Sequence, residues 1–143
     1  MINFVLNKEN LIERELSPML IIGETFDSYL IRGCINLFNN EIQWDGMFTL
    51  WDALRRIEDG EKIFVGLYNG EIFGYCWVIN KDDTTYIYNV FSKSTPDKRK
   101  YGATDLLYYV IKHHGNTVIS AEVDEWNTKS IRVFEKLGFK VID

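Results

Sequence analysis

Apolar and polar positions along the chain change period part-way through. From Lys62 onward, β-branched and aromatic residues dominate short runs separated by turn residues. That pattern predicts a strand over Lys62–Tyr68, a hairpin turn at Asn69-Gly70 and an antiparallel partner over Glu71–Ile79. Asp82-Asp83 then opens a turn into a third strand, Thr84–Ser92. The spacing next becomes helical: Thr104–His114 places Leu107, Val110 and Ile111 on one face, and Gly115-Asn116 ends it. A strand over Thr117–Val123 and a helix over Thr128–Leu137, closed by Gly138, complete the series. This strand-strand-strand-helix-strand-helix order implies a mixed sheet in which the Thr104 helix crosses between two parallel strands.

The first third is less regular. Ile2–Leu6 reads as a short strand, and Asn7 as the N-cap of a helix through Leu16 that Ser17-Pro18 stops. Met19–Ile22 is an apolar run of either type. Thr25–Phe38 reads as a helix with Phe26, Tyr29, Leu30 and Ile35 on one face, weakened by Gly33. Asn39–Gly46 reads as a loop or a short extended piece containing Trp44, and Phe48–Asp59 as a helix with Phe48, Trp51, Leu54 and Arg55 on one side.

Composition narrows the class. A chain of 143 residues, 46% hydrophobic and 15% aromatic, is expected to form one globular domain, residues 1–143. Apolar runs fall short of the roughly 18 residues of a membrane span. The basic-then-apolar layout of a signal peptide is missing from the N-terminus, so a cytoplasmic location is expected. Net charge of −5 argues against general nucleic-acid binding. Cys34 and Cys76 lie in apolar surroundings and read as buried thiols. His113 and His114 close a helix, where they suit the dipole rather than a metal.

Against this acidic background, Pro96–Leu107 (PDKRKYGATDLL) is a local exception. A basic loop narrows to Gly102 and runs straight into a helix. The first backbone N–H groups of a helix lack partners within it and favour an anion, to which Lys98, Arg99 and Lys100 add charge. It is not a nucleotide P-loop, since the Gly-Lys-Ser/Thr ending is absent. A second stretch, Asn127–Phe139 (NTKSIRVFEKLGF), ends in Lys-Leu-Gly-Phe. Together these resemble the GNAT superfamily of acyl-CoA N-acyltransferases. Its pyrophosphate arm reads Arg/Gln-x-x-Gly-x-Gly/Ala, matched by Arg99 and Gly102, with Thr104 in the last place. Its later helix reads Asn-x-x-Ala-x-x-x-Tyr-x-x-x-Gly-Phe, matched by Asn127, Gly138 and Phe139, with Ser130 for Ala and Phe134 for Tyr. The resemblance covers the chain from about Ile63 onward.

The resemblance implies an α+β, three-layer fold: a mixed, mostly antiparallel sheet flanked by helices. Its parallel pair would splay apart to admit acetyl-CoA. By resemblance the N–H groups of Lys100, Tyr101, Gly102, Ala103 and Thr104 would hold the pyrophosphate, beside Arg99. Backbone groups near Ser92 and Ser94 would pair with the pantetheine, and Asn127, Ser130 and Phe134 would border the cofactor. Many members carry at the position of Phe134 a tyrosine whose hydroxyl protonates the departing thiolate; phenylalanine has no proton to give. Glu122 and Asp124, on one side of their strand by its period of two, are the candidate general bases. Members usually continue past Gly-Phe with a strand pair, whereas this sequence has room for one short strand. The edge of the Thr117 strand would then need covering by a second subunit, a partner protein or the N-terminal segment.

The expected activity is acetyl transfer from acetyl-CoA to an amine. Two other roles fit the same features: a GNAT-fold protein without catalysis, acting as a structural or binding module in an assembly, and a regulator that binds CoA or a nucleotide. The acceptor side would be built by Thr25–Gly60, where Glu41, Asp45 and Asp52 accompany Trp44, Phe48 and Trp51. Acids beside aromatics suit a cationic amine, and equally a core with a solvated polar face.

Overall fold

The computed structural model describes residues 1–42, 49–93 and 101–142, with the side chains of 40–42 left aside. These form seven strands: β1 (Ile2–Asn7), β2 (Leu20–Glu24), β3 (Lys62–Tyr68), β4 (Glu71–Lys81), β5 (Thr84–Ser92), β6 (Val118–Val123) and β7 (Lys140–Ile142). Four helices accompany them: α1 (Ser28–Ile42), α2 (Leu50–Glu58), α3 (Ala103–His114) and α4 (Thr128–Leu137). All seven strands join one sheet in the order β2-β3-β4-β5-β6-β1-β7. Every neighbouring pair is antiparallel except β5 and β6, which run parallel with α3 as their crossover.

Both faces of the sheet are covered, which makes the fold α+β in three layers. On one side Ile31, Cys34, Ile35 and Phe38 of α1 and Ala53 of α2 close over Ile63, Val65, Tyr75 and Trp77. On the other, Leu106, Leu107, Val110 and Ile111 of α3 and Phe134 and Leu137 of α4 close over Phe64, Phe73, Cys76 and Val78. Successive residues of β4 therefore enter opposite cores, and the strand reads as an unbroken apolar run rather than an alternation.

The two helices at the front bury different faces from those their aromatic residues suggest. In α1 the inward set is Ile31, Cys34, Ile35 and Phe38, spaced as one full helical stripe. Phe26 precedes the helix and Tyr29 points outward, at 71% and 80% exposure. Gly33 is a packing requirement, because a Cβ there would stand 2.8 Å from Ile72 Cδ1. In α2 the stripe is Leu50, Ala53, Leu54 and Ile57, which leaves Trp51 and Arg55 exposed. Thr49 caps this helix, accepting from the Asp52 N–H. Residues 39–42, expected in a loop, continue α1. Trp44, Asp45 and Phe48 lie outside the described residues.

The helix expected over Asn7–Leu16 is not formed. Asn7 ends β1, Lys8–Asn10 make one 3-10 turn, and the chain then runs without regular structure to a turn at 18–19 that leads into β2. Tertiary partners outcompete local helix bonds here: the Lys8 N–H goes to the Thr117 carbonyl, and the Ile12 N–H goes to the Leu137 carbonyl. The segment acts as a strap. It leaves β1 near one end of the sheet and crosses the α3/α4 layer to reach β2 at the other end. Of the three ways of covering the edge of β6, the structure uses the N-terminal segment. β1 pairs with β6 from Ile2↔Val123 to Asn7↔Val118 and carries β7 on its far side.

Candidate functional site

The parallel pair separates. β5 and β6 are in register from Thr84↔Val118 to Ile87↔Ala121 and no further. Beyond that point β5 stays with β4 as far as Gly74↔Ser92, and β6 stays with β1 as far as Val123↔Ile2. The walls of the resulting gap are Tyr88–Ser92 on one side and Glu122 with Val123 on the other.

A bulge accounts for the separation. Val78 pairs with Ile87 while its neighbour Trp77 pairs with Asn89, so Tyr88 is an extra residue in β5. A bulge bends its strand and tightens the local twist, which turns β5 away from β6. Ile87 and Val90 both pack into the core under α3 and α4, whereas Tyr88 and Phe91 pack against the core under α1 and α2. That spacing of three, in place of two, was the available sequence signal, and the strand reading missed it.

Tyr88 is clamped from the α2 side. Arg56 Nη1 donates to the Tyr88 hydroxyl at 2.8 Å, with its guanidinium carbon 3.9 Å from the ring centre. Arg56 Nε and Trp77 Nε1 both donate to Glu61 Oε1 at 2.9 Å. Burial alone would pull the Arg56 pKa down, but the bonds to Tyr88 and Glu61 raise it overall. Asn89 Nδ2 donates to the Tyr75 hydroxyl. Burial, chiefly, raises the Tyr75 pKa and pushes the Cys34 thiol up to about 12. Tyr75 and Cys34 are neutral groups of the core under α1 and α2.

The other candidate residues sort by element. Ser92 is half-buried at the end of β5. Glu122 and Asp124 are exposed at the end of β6. Burial and then the Glu122 charge raise the pKa of Tyr86. Asn127 caps α4 by accepting from the Ser130 N–H at 3.3 Å. Phe134 is 3% exposed, stacked on Phe4 at 5.5 Å and edge-on to Phe139 at 4.9 Å. Ser94, Arg99 and Lys100 lie outside the described residues.

The end of the arm is described. Tyr101 stacks on Tyr68 with ring centres 4.0 Å apart and meets Phe73 edge-on, fixing where the chain enters α3. Gly102 is the extended N-cap of α3, and Ala103 and Thr104 form its first turn. A Cβ on Gly102 would meet nothing within 4 Å. Neither strain nor packing against the described residues requires glycine there. Buried in that first turn, Asp105 pairs with Arg14 of the strap at 2.9 Å. Among the described residues no group of three or more His, Cys, Asp or Glu is placed to hold a metal.

The model of the acetyltransferase (GNAT) family matches residues 28–139. The chain belongs to the GNAT family. Solved structures agree on the fold. A GCN5-related N-acetyltransferase from Sphaerobacter thermophilus superposes with a TM-score of 0.72 at 15% identity, covering 99% of this chain and 48% of that one. The yncA protein of Salmonella typhimurium, solved with its cofactor acetyl-CoA, gives 0.68 at 19% identity, covering 87% and 82%. An aminoglycoside acetyltransferase from an uncultured soil metagenomic sample, in complex with sisomicin, gives 0.63 at 16%, covering 80% and 84%. The chain spans about half the length of the first GNAT structures it matches. A search of curated proteins found no match. Among the described residues of this GNAT chain, no helix is long and apolar enough to cross a membrane.

A cleft of about 910 Å³, lined by Lys8, Glu13, Asp82, Asp83, Lys112 and Asn116 among others, opens at the N-terminal ends of β5 and β6. It lies at the opposite end of the parallel pair from the gap.

Proposed function

We propose that this chain is an acetyl-CoA-dependent N-acetyltransferase, a single cytoplasmic domain that moves an acetyl group directly onto an amine. The observation that carries the reading is the gap between β5 and β6, opened by the Tyr88 bulge in a GNAT chain. Acetyl-CoA supplies an activated thioester. In this reading the free N–H groups of Ala103 and Thr104, with those of Lys100 and Tyr101 and the side chain of Arg99, bind its diphosphate. The edge of β5 that β6 has abandoned, near Ser92 and Ser94, offers backbone groups to the pantetheine. An N–H at that edge faces the carbonyl oxygen, where negative charge develops during attack.

The acceptor enters as an amine after Glu122 or Asp124 removes its proton, directly or through water. Its nitrogen bonds to the acetyl carbon, the carbon–sulfur bond breaks with its electron pair leaving on sulfur, and the nitrogen gives up its extra proton to water or to the departing thiolate. Phe134 donates no proton, so the thiolate leaves as such or is protonated by water. A thiol with a pKa of roughly 8.5 allows either. Much of the acceleration comes from holding amine and thioester together.

The burial of Phe134 among apolar rings supports a second reading, in which the fold binds its ligand or a partner without catalysis. A thermal-unfolding series with acetyl-CoA, run beside an Arg99→Ala/Gly102→Glu variant, tests the site, since a ligand bound only by the native state must raise its midpoint. A dose-dependent rise lost in the variant supports the site, and thiol release with a panel of amines then separates the two readings. No rise at millimolar acetyl-CoA with a folded protein overturns the acetyltransferase reading.

A further inference from the structure

The first turn of α3 carries a charge that its proposed role does not want. Asp105 is the third residue of the helix and only 6% exposed. At this position its carboxylate lies near the Gly102 and Asp105 backbone N–H groups, which, after Arg14, oppose the rise in its pKa that burial causes. That placement suits a helix with no ligand. It also sets a negative charge beside the N–H groups of Ala103 and Thr104, where a diphosphate would be repelled.

Arg14 answers that charge from 91 residues away in sequence. Its Nε donates to Asp105 Oδ1 at 3.0 Å, and its Nη2 lies 2.9 Å from the same oxygen as an ion pair. The strap fixes the arginine on either side of that contact. Ile12 is bonded to the end of α4, and Glu13 accepts from Tyr108 and Lys112 of α3. The Arg14 side chain keeps 34% exposure, so the pair is not sealed inside the core. Burial raises the Asp105 pKa, and Arg14 opposes that rise, as the two contacts predict.

We propose that Arg14 is a positioning residue for the coenzyme: it neutralises Asp105 so that the N-terminus of α3 accepts the diphosphate of CoA. This rests on the acetyltransferase reading of the gap and assigns a binding role to the strap, a segment outside the matched region 28–139. A strap that merely ties β1 to β2 would affect folding without distinguishing one part of the coenzyme from another.

The test compares CoA with pantetheine, which lacks the diphosphate, on the full chain, using calorimetry for CoA and protein-observed NMR titration for pantetheine. Arg14→Gln should weaken CoA by about tenfold or more, since it leaves a lone carboxylate at an anion site, and should leave pantetheine unchanged. Arg14→Lys should retain most of the affinity. The Arg14→Gln/Asp105→Asn double variant, with neither charge, should bind CoA within about threefold of the parent. That variant also decides the matter if Arg14→Gln alone does not fold, because it buries no unpaired charge. Equal losses for CoA and pantetheine, unchanged CoA affinity in Arg14→Gln, or a double variant as weak as the single would overturn the role of Arg14. Failure of the unmodified protein to bind CoA would instead overturn the acetyltransferase reading and this inference with it.

Discussion

Gly74 of β4 sits directly opposite Ser92 of β5 with no space for a side chain between them. A Cβ on Gly74 would collide with the Phe91 carbonyl oxygen and stand 3.0 Å from the Ser92 Cα. Both obstacles are backbone, which cannot swing aside as a side chain can. Gly74→Ala is therefore expected to cost about 1–3 kcal/mol in urea unfolding. It should also displace the end of β5 and reduce the thermal shift given by acetyl-CoA. An alanine variant with unchanged stability and unchanged shift would show that the pair tolerates separation.

The clamp on Tyr88 should behave as one unit. Arg56→Ala removes a ring contact, a bond to the phenol and the partner of Glu61, and should lower stability by about 2–3 kcal/mol. Tyr88→Phe removes only the hydroxyl and should cost about 1 kcal/mol. Because both changes act on the same contact, the double variant should fall short of their sum. Strict additivity in a double-mutant cycle would mean that Arg56 and Tyr88 are neighbours without coupling.

Restoring the tyrosine of the family pattern at Phe134 should not restore a proton donor. The ring is enclosed by Phe4 and Phe139, so a new hydroxyl would be desolvated there, at about 1–3 kcal/mol. Phe134→Tyr is expected to lower stability without raising turnover in a thiol-release assay. A faster enzyme of parental stability would place the ring edge in the gap.

His114 gives the fold a pH dependence of known sign. Its ring lies 4.6 Å from that of Phe64, and burial lowers its pKa below 6.5. Between the lowered folded value and 6.5 the unfolded chain binds more protons than the native one. The stabilisation is thus present above 6.5 and lost as the pH falls through the folded value. Urea midpoints should drop over that interval, and His114→Gln should flatten the drop. An unchanged slope in the variant would assign the effect elsewhere.

Much of the sheet was legible because its turns are chemically explicit. Asn69, Gly70 and Asp82 all take positive φ, as hairpin turns between tightly paired strands require. The boundaries of α4 were equally plain, since Asn127 caps one end and Gly138 turns left-handed at the other. The front of the chain was not legible, because its partners lie far off in sequence. Leu11 and Leu16 pack on the core that α3 and α4 close over, and Arg14 finds Asp105, so a local reading had no means of choosing strap over helix. The same holds for the site. The arm motif announced α3, the bulge was signalled only by the spacing of three from Ile87 to Val90, and the Arg56 clamp depends on contacts that no short window contains.

The placement of β1 has a consequence for how the molecule comes to exist. Asn3 lies opposite Glu122 on one side and Ile142 on the other. The first strand of the sheet therefore waits for the last before both its neighbours are in place. Closing so long a loop precedes the contacts that reward it, which slows folding. Until then the strand Ile2–Asn7 is an unpaired apolar ribbon on a nascent chain, the stage at which such chains associate wrongly.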